Sequence, residues 1–212
     1  MNEFLQSIYD AILNGEKAET AQAVQAALSA GLEPGVILSD GMIAAMKEVG
    51  KRFEEGDFYV PEMLISARSM QSGLAVLKPE LLKTNVKSMG KVAIGTVKGD
   101  LHDIGKNLVG MMLEGSGFEV IDLGTDVEPA KFVAVVQEQA PDIIALSALL
   151  TTTMPMMEKT LAALQEAGLR QKVKVIIGGA PVNQAFCDQI GADGYSQDAS
   201  RAATLAESLI SV

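Results

Sequence analysis

Histidine and cysteine are almost missing from this chain: its 212 residues include one of each, His102 and Cys187. A single cysteine excludes an internal disulfide framework and any cysteine-rich zinc or iron–sulfur site. It fits a reducing compartment, with the cytoplasm as the expected location. With one histidine, a conventional all-protein zinc site or a Ser-His-Asp hydrolase would have to be built around that residue. Positive charge is also scarce. The 17 Lys+Arg stand against 27 Asp+Glu, a formal net charge of −10, with a pI near 4.6. No cluster of basic residues with interleaved aromatics stands out, which argues against nucleic acid or an anionic membrane as a partner. No stretch approaches the roughly 18 consecutive apolar residues of a bilayer span; the longest candidate lies around Ile143 to Leu150. The opening MNEFLQSIYDAILNG carries Glu3 and Asp10 and lacks the basic region and apolar core of a secretory signal.

What is present is apolar material, 48% of residues against 21% charged, enough to bury one or two cores. Up to about residue 78 the apolar residues recur at helical spacing. Met42, Met46, Val49 and Phe53 form one stripe, and Met63, Ala67, Met70, Leu74 and Leu77 another. Gly15, the run Gly31-Leu32-Glu33-Pro34 and Gly56-Asp57 divide the region into about four helices, a small bundle. Lys78-Pro79 through Gly90 has no sustained apolar period and reads as a helix end running into a linker. Beyond Gly90 the pattern changes. Short β-branched runs at Val92–Val97, Glu119–Leu123, Ile143–Ser147 and Val173–Ile177, with a weak fifth around Tyr195, alternate with helices expected over 105–115, 128–139, 155–167, 182–190 and 199–210. Near-continuous apolar strands separated by helices predict a parallel sheet covered on both faces. The expected fold is therefore α/β, a four-helix bundle over residues 1–88 followed over 89–212 by a flavodoxin-like, doubly wound, five-stranded, Rossmann-like domain. Its ligand crevice lies where the first and third strands diverge.

The loop leaving the first strand reads Lys98-Gly99-Asp100-Leu101-His102-Asp103-Ile104-Gly105-Lys106-Asn107. It fails the Walker pattern twice: five residues separate Gly99 from Gly105, and Asn107 rather than Ser or Thr follows Lys106. A G-x-G-x-x-G dinucleotide fingerprint is absent, and Asp100 and Asp103 put negative charge where a pyrophosphate would lie. What remains is a histidine with a carboxylate two residues before it. Such a carboxylate can fix the imidazole tautomer and leave the other nitrogen a better metal donor. One histidine completes a metal site only if the remaining ligands arrive with the metal, as in a tetrapyrrole-like macrocycle. The plain alternative is a solvated loop histidine, with Asp103 capping the next helix. The third strand end adds Ser147-Ala148-Leu149-Leu150-Thr151-Thr152-Thr153, dense in hydroxyls, and the fourth adds Gly178-Gly179, which removes side-chain bulk.

Together these features resemble the corrinoid (cobalamin-binding) methyl-carrier proteins of anaerobic methyltransferase systems, related to the cobalamin-binding module of methionine synthase. The family pattern Asp-x-His-x-x-Gly, Ser-x-Leu and Gly-Gly stands here as Asp100-x-His102-x-x-Gly105, Ser147-x-Leu149 and Gly178-Gly179, in order, one part on each of three expected strand ends. Asp103 falls inside the first part. The N-terminal half is similar to the family's helical cap through Phe53 and the stretch from Tyr59 to Arg68.

The resemblance implies that cobalamin is bound with its own base detached and His102 as the lower axial ligand of cobalt. Asp100 then holds the histidine and is linked to the hydroxyl of Thr153, where the family pattern has serine. The cofactor's tail enters a slot beside Ser147, Thr151 and Gly178-Gly179, and Phe53, Val60, Met63 and Leu64 shield the upper face, with bundle core as their other reading. The implied function is a methyl carrier, a non-catalytic subunit that lends its cofactor to other proteins. Its implied partners are a substrate-specific methyltransferase, an acceptor methyltransferase using tetrahydrofolate, tetrahydropterin or a thiol, and a reductive activator. No folate-binding or adenosylmethionine-binding domain is expected beyond residue 212, and segment 83–90 is a candidate hinge. Methanol, methylamines, betaine and methoxyaromatics all remain open as donors. Alternatives from other classes are a subunit of a B12-dependent mutase, a cobalamin-responsive regulator, and a flavin-binding or receiver-type domain.

Overall fold

The computed structural model describes residues 2–84 and 88–210, and the chain divides into two compact units. One holds Met1–Ser88 with Glu114–Gly117, the other Met89–Leu113 with Phe118–Val212.

In the helical unit, α1 (Glu3–Leu13) begins where the Asn2 side chain accepts the Phe4 N–H at 2.9 Å, and α2 is Lys17–Ser29. Next, α3 (Pro34–Val36) runs through a π-helical stretch, Ile37–Ile43, into α4 (Ala44–Glu55), which ends at Gly56 in the left-handed conformation. The long α5 (Val60–Lys83) opens with Glu62 reaching back to the Tyr59 N–H at 3.0 Å. Ile8, Ile12, Met42, Met46, Met63, Met70 and Leu77 are fully buried, and both expected stripes supply core residues. Gly73 lets α5 close on α2, since a Cβ there would sit 2.9 Å from Thr20 Cγ2; the Thr20 and Ser69 hydroxyls share a buried hydrogen bond of 2.6 Å.

The helix end expected at Lys78-Pro79 is corrected, because α5 continues to Lys83. Proline removes one N–H, and the carbonyl it leaves free belongs to exposed Ala75, which faces solvent. The candidate hinge falls partly on residues 85–87, outside the described residues.

The second unit is a five-stranded parallel sheet in the order β2-β1-β3-β4-β5, as the alternation predicts. Its strands are β1 (Lys91–Thr96), β2 (Glu119–Asp122), β3 (Ile143–Ser147), β4 (Lys174–Gly178) and β5 (Gly194–Ser196). The connecting helices are α6 (Ile104–Gly115), α7 (Pro129–Gln139), α8 (Pro155–Glu166), α9 (Gln184–Ile190) and α10 (Ala199–Ile210). Phe132, Ile144, Leu164 and Val175 are central to its buried core, and Gly95 gives the Phe132 ring room to lie on the strand. In this order β1 sits between β2 and β3, paired Thr96 to Ser147 at its C-terminal end. The order in which strands are added reverses there, and the loops after β1 and β3 diverge to leave a crevice. Among the described residues no helix is long and apolar enough to cross a membrane.

Candidate functional site

A glycine and a threonine shape the loop that leaves β1. Gly99 is in the left-handed region at φ +82°, and its N–H donates to Asp126 Oδ1 at 2.8 Å. The loop then turns back, with the Thr96 hydroxyl donating to the His102 carbonyl at 2.8 Å. Asp100 is fully buried inside this turn, while the His102 side chain is about half exposed, at 51%.

The Asp100 carboxylate is surrounded by donors. Its Oδ1 accepts the His102 N–H at 3.1 Å and lies 2.7 Å from His102 Nδ1. Its Oδ2 accepts from Leu149 N–H at 2.8 Å, Leu150 N–H at 3.2 Å and the Thr153 hydroxyl at 2.7 Å. Burial alone pushes the Asp100 carboxyl upward, but the hydrogen bonds from Thr153, His102 and Leu149 more than reverse this and hold it well below the usual carboxylate range. An ionised carboxylate only accepts, so Nδ1 is the donor and Nε2 is the ring nitrogen left for a metal. The geometry is that of an oriented imidazole on a buried anionic anchor.

The third member of the expected set, Thr153, is buried and in direct contact with Asp100. Its extra methyl group, relative to serine, lies 3.6 Å from where a Gly99 Cβ would be. A Cβ at 99 would make only ordinary van der Waals contact with that methyl, and the Thr153 hydroxyl reaches the carboxylate at 2.7 Å.

The other expected residues distribute more unevenly. Leu149 joins the site through its backbone N–H, with its side chain 43% exposed. Ser147 ends β3 half-buried and Thr151 is exposed. Gly179 is obligatory: at φ +130° a Cβ would overlap the Ala148 carbonyl, and a Cβ on Gly178 would come 3.0 Å from the Ser196 carbonyl oxygen. The double glycine therefore brings the ends of β3, β4 and β5 together with no side chain between them. Asp103 points to Asn107, accepting its side-chain amide at 3.1 Å, and a Cβ on Gly105 would meet only open space. Phe53, Val60, Met63 and Leu64 lie in the helical unit: Met63 is fully buried in the bundle core, Phe53 and Leu64 are half-buried, and Val60 is 40% exposed.

Three further residues escape a reading by motif. Leu101 and Ile104, flanking His102, are about three-quarters exposed, and Leu150 beside Leu149 is also exposed. With Leu149 they place exposed apolar side chains on the loop that carries His102 and on the loop that anchors Asp100. Their one sequence signal is aliphatic residues in a loop otherwise polar. Among the described residues no group of three or more His, Cys, Asp or Glu is placed to hold a free metal ion. A separate cleft of about 230 Å³, lined by Asp142, Arg170, Lys174 and Asp193 among others, opens at the N-terminal ends of β3 and β4, with Arg170 2.7 Å from Asp193.

Comparison with known proteins agrees with this arrangement. Residues 90–204 match a family model described as a B12 binding domain, and residues 5–78 match a second model of the same description. Trimethylamine corrinoid protein 1 of Methanosarcina acetivorans is 44% identical over 199 residues, 93% of this chain and 92% of that protein. Dimethylamine corrinoid protein 2 of the same organism is 43% identical over 209 residues, 98% of this chain and 96% of that one. Among solved structures, the methanol:cobalamin methyltransferase complex of Methanosarcina barkeri aligns with a TM-score of 0.88 and 34% identity, covering 99% of this chain and 80% of that one. A cobalamin-binding protein of Desulfitobacterium hafniense aligns at 0.81 with 33% identity, covering 97% and 98%. The oriented imidazole and the matches along nearly the whole length agree: this chain belongs to the B12-binding corrinoid proteins.

Proposed function

We propose that this chain is a methyl carrier that holds cobalamin with the cofactor's own base displaced and His102 as the lower axial ligand. The observation that carries the proposal is the His102–Asp100 pair, with Nδ1 committed to a buried carboxylate at 2.7 Å and Nε2 left over on a half-exposed ring. When bound, the cofactor supplies the nucleophilic metal on which a methyl group rides between two methyltransferases. The protein's share is to orient the ring and hold its proton. Asp100 keeps the Nδ1 proton in place, and Thr153 donates to the far oxygen of the same carboxylate. A change in the demand on Nε2 is therefore passed to a hydrogen-bonded chain of three side chains. Ser147, Thr151 and the Gly178–Gly179 turn line the place for the cofactor's tail, and Phe53, Val60, Met63 and Leu64 serve the cap, Met63 from within the bundle core.

The partners are a substrate-specific methyltransferase, an acceptor methyltransferase delivering to a thiol, tetrahydrofolate or tetrahydropterin, and a reductive activator. The relatives named for trimethylamine and dimethylamine, together with the methanol complex, support a small methylated amine or methanol as the donor. The test is reconstitution with hydroxocobalamin followed by desalting. The wild-type protein emerges red with a histidine-ligated spectrum, and His102→Ala binds more weakly and loses that spectrum. Identical spectra for the two proteins overturn the assignment.

A further inference from the structure

The β2–α7 loop carries an anomaly that the ligand set does not explain. Asp126 is one of two non-glycine residues in the left-handed region among the described residues, at φ +55°. Left-handed backbone is unfavourable for most residues, and less so for aspartate, because its short side chain can bond locally. Here the side chain uses its oxygens elsewhere: Oδ1 accepts the Gly99 N–H at 2.8 Å, and Lys98 Nζ lies 3.2 Å from the carboxylate. The backbone N–H of Asp126 donates to the Asp100 carbonyl at 3.0 Å. On either side the same loop runs along the end of β1: Thr96 N–H donates to Gly124 O at 3.0 Å, Val127 N–H donates to Thr96 O at 3.0 Å, and Val97 pairs with Val127.

We infer that Asp126 is a positioning residue that clamps the turn from Val97 to His102 from the β2 side and so sets where the His102 ring stands. This inference rests on the histidine-ligation reading. The anchoring is two-sided. The Asp100 side chain is held by Leu149, Leu150 and Thr153 from the β3 side, and its main chain by Asp126 from the β2 side. With only the first hold, the carboxylate stays put while the backbone leading to His102 can pivot about it. Gly99, whose left-handed φ makes it the loosest joint of the turn, is the residue whose N–H the Asp126 carboxylate captures. The ion pair with Lys98 is exposed and contributes little.

The discriminating variant is Asp126→Gly, which keeps the left-handed backbone free of strain and deletes only the carboxylate. In the full-length protein it raises the dissociation constant for hydroxocobalamin by about tenfold or more and moves the visible spectrum toward that of His102→Ala. Asp126→Asn, which keeps an acceptor for Gly99, restores both, and Lys98→Met leaves both unchanged. A variant that only melts at lower temperature, with wild-type spectrum and affinity, overturns the inference. Amide hydrogen exchange on the cobalamin-free wild type is an independent measurement: the Gly99 N–H exchanges slowly if the clamp exists, and exchange at the speed of an open loop overturns it even if Asp126→Gly fails to fold. If His102→Ala matches wild type spectrally, the ligation reading and the positioning role fall together, and the exchange data still tell whether the contact forms.

Discussion

Asp100 is the residue on which the site turns, and its substitution separates geometry from charge. Asp100→Asn preserves shape but offers one acceptor oxygen where two are used, and it presents an amide NH₂ to groups that themselves donate. Leaving such buried donors unmatched costs about 2–4 kcal/mol, to be read as a lower urea midpoint at pH 7. The pH dependence follows from the depressed carboxyl. A folded-state value below the ordinary value of about 3.9 gives stability that is fully present above that value and lost as pH falls through the folded one. Wild type should therefore lose stability on acidification below about pH 4 more steeply than Asp100→Asn, as urea titrations at several acidic pH values would show. The Asp100–His102 pair was legible in the sequence because two residues of one loop are neighbours whatever the fold. Asp126 was not: 27 positions separate it from Gly99, and only the β2-β1 pairing brings the two loops together. Leu101 and Ile104 were hidden differently, since apolar side chains in a loop carry no periodicity that marks them as a surface awaiting a ligand.

At the level of elements, the five strand–helix alternations were readable because each strand is a short apolar run bounded by turn residues. The approach of β3 to β4 was not, because a Gly-Gly pair looks the same in any tight turn. Gly179→Ala should be among the costlier single substitutions in the chain, about 3 kcal/mol or more, since its Cβ overlaps backbone and no rotamer relieves it. Gly191→Ala is the control. It is also left-handed, at φ +71°, but with nothing within 4 Å of its Cβ, so it carries only the conformational cost of about 1 kcal/mol. Thermal midpoints of the two variants measure the difference. The π-helical Ile37–Ile43 segment also escaped a reading by 3.6-residue period. Its wider turn brings Ile37 and Met42, five apart, into the bundle core together.

For the whole molecule, the charge balance sets the behaviour in acid. With a net charge of −10 at neutral pH and a pI near 4.6, the repulsion that keeps copies apart vanishes near that pH. Turbidity should peak there and clear on either side. Asp100 is still ionised at that point, so protein left in solution should keep the cobalamin spectrum of the neutral sample; a spectrum lost together with solubility would show that the site fails for another reason. The lone imidazole also has a practical consequence. Because the chain has no other imidazole and this one is half open to solvent, one imidazole Hε1 signal, or a single adduct from an imidazole-directed reagent, reports the centre, and its loss on adding the vitamin would give the occupied fraction.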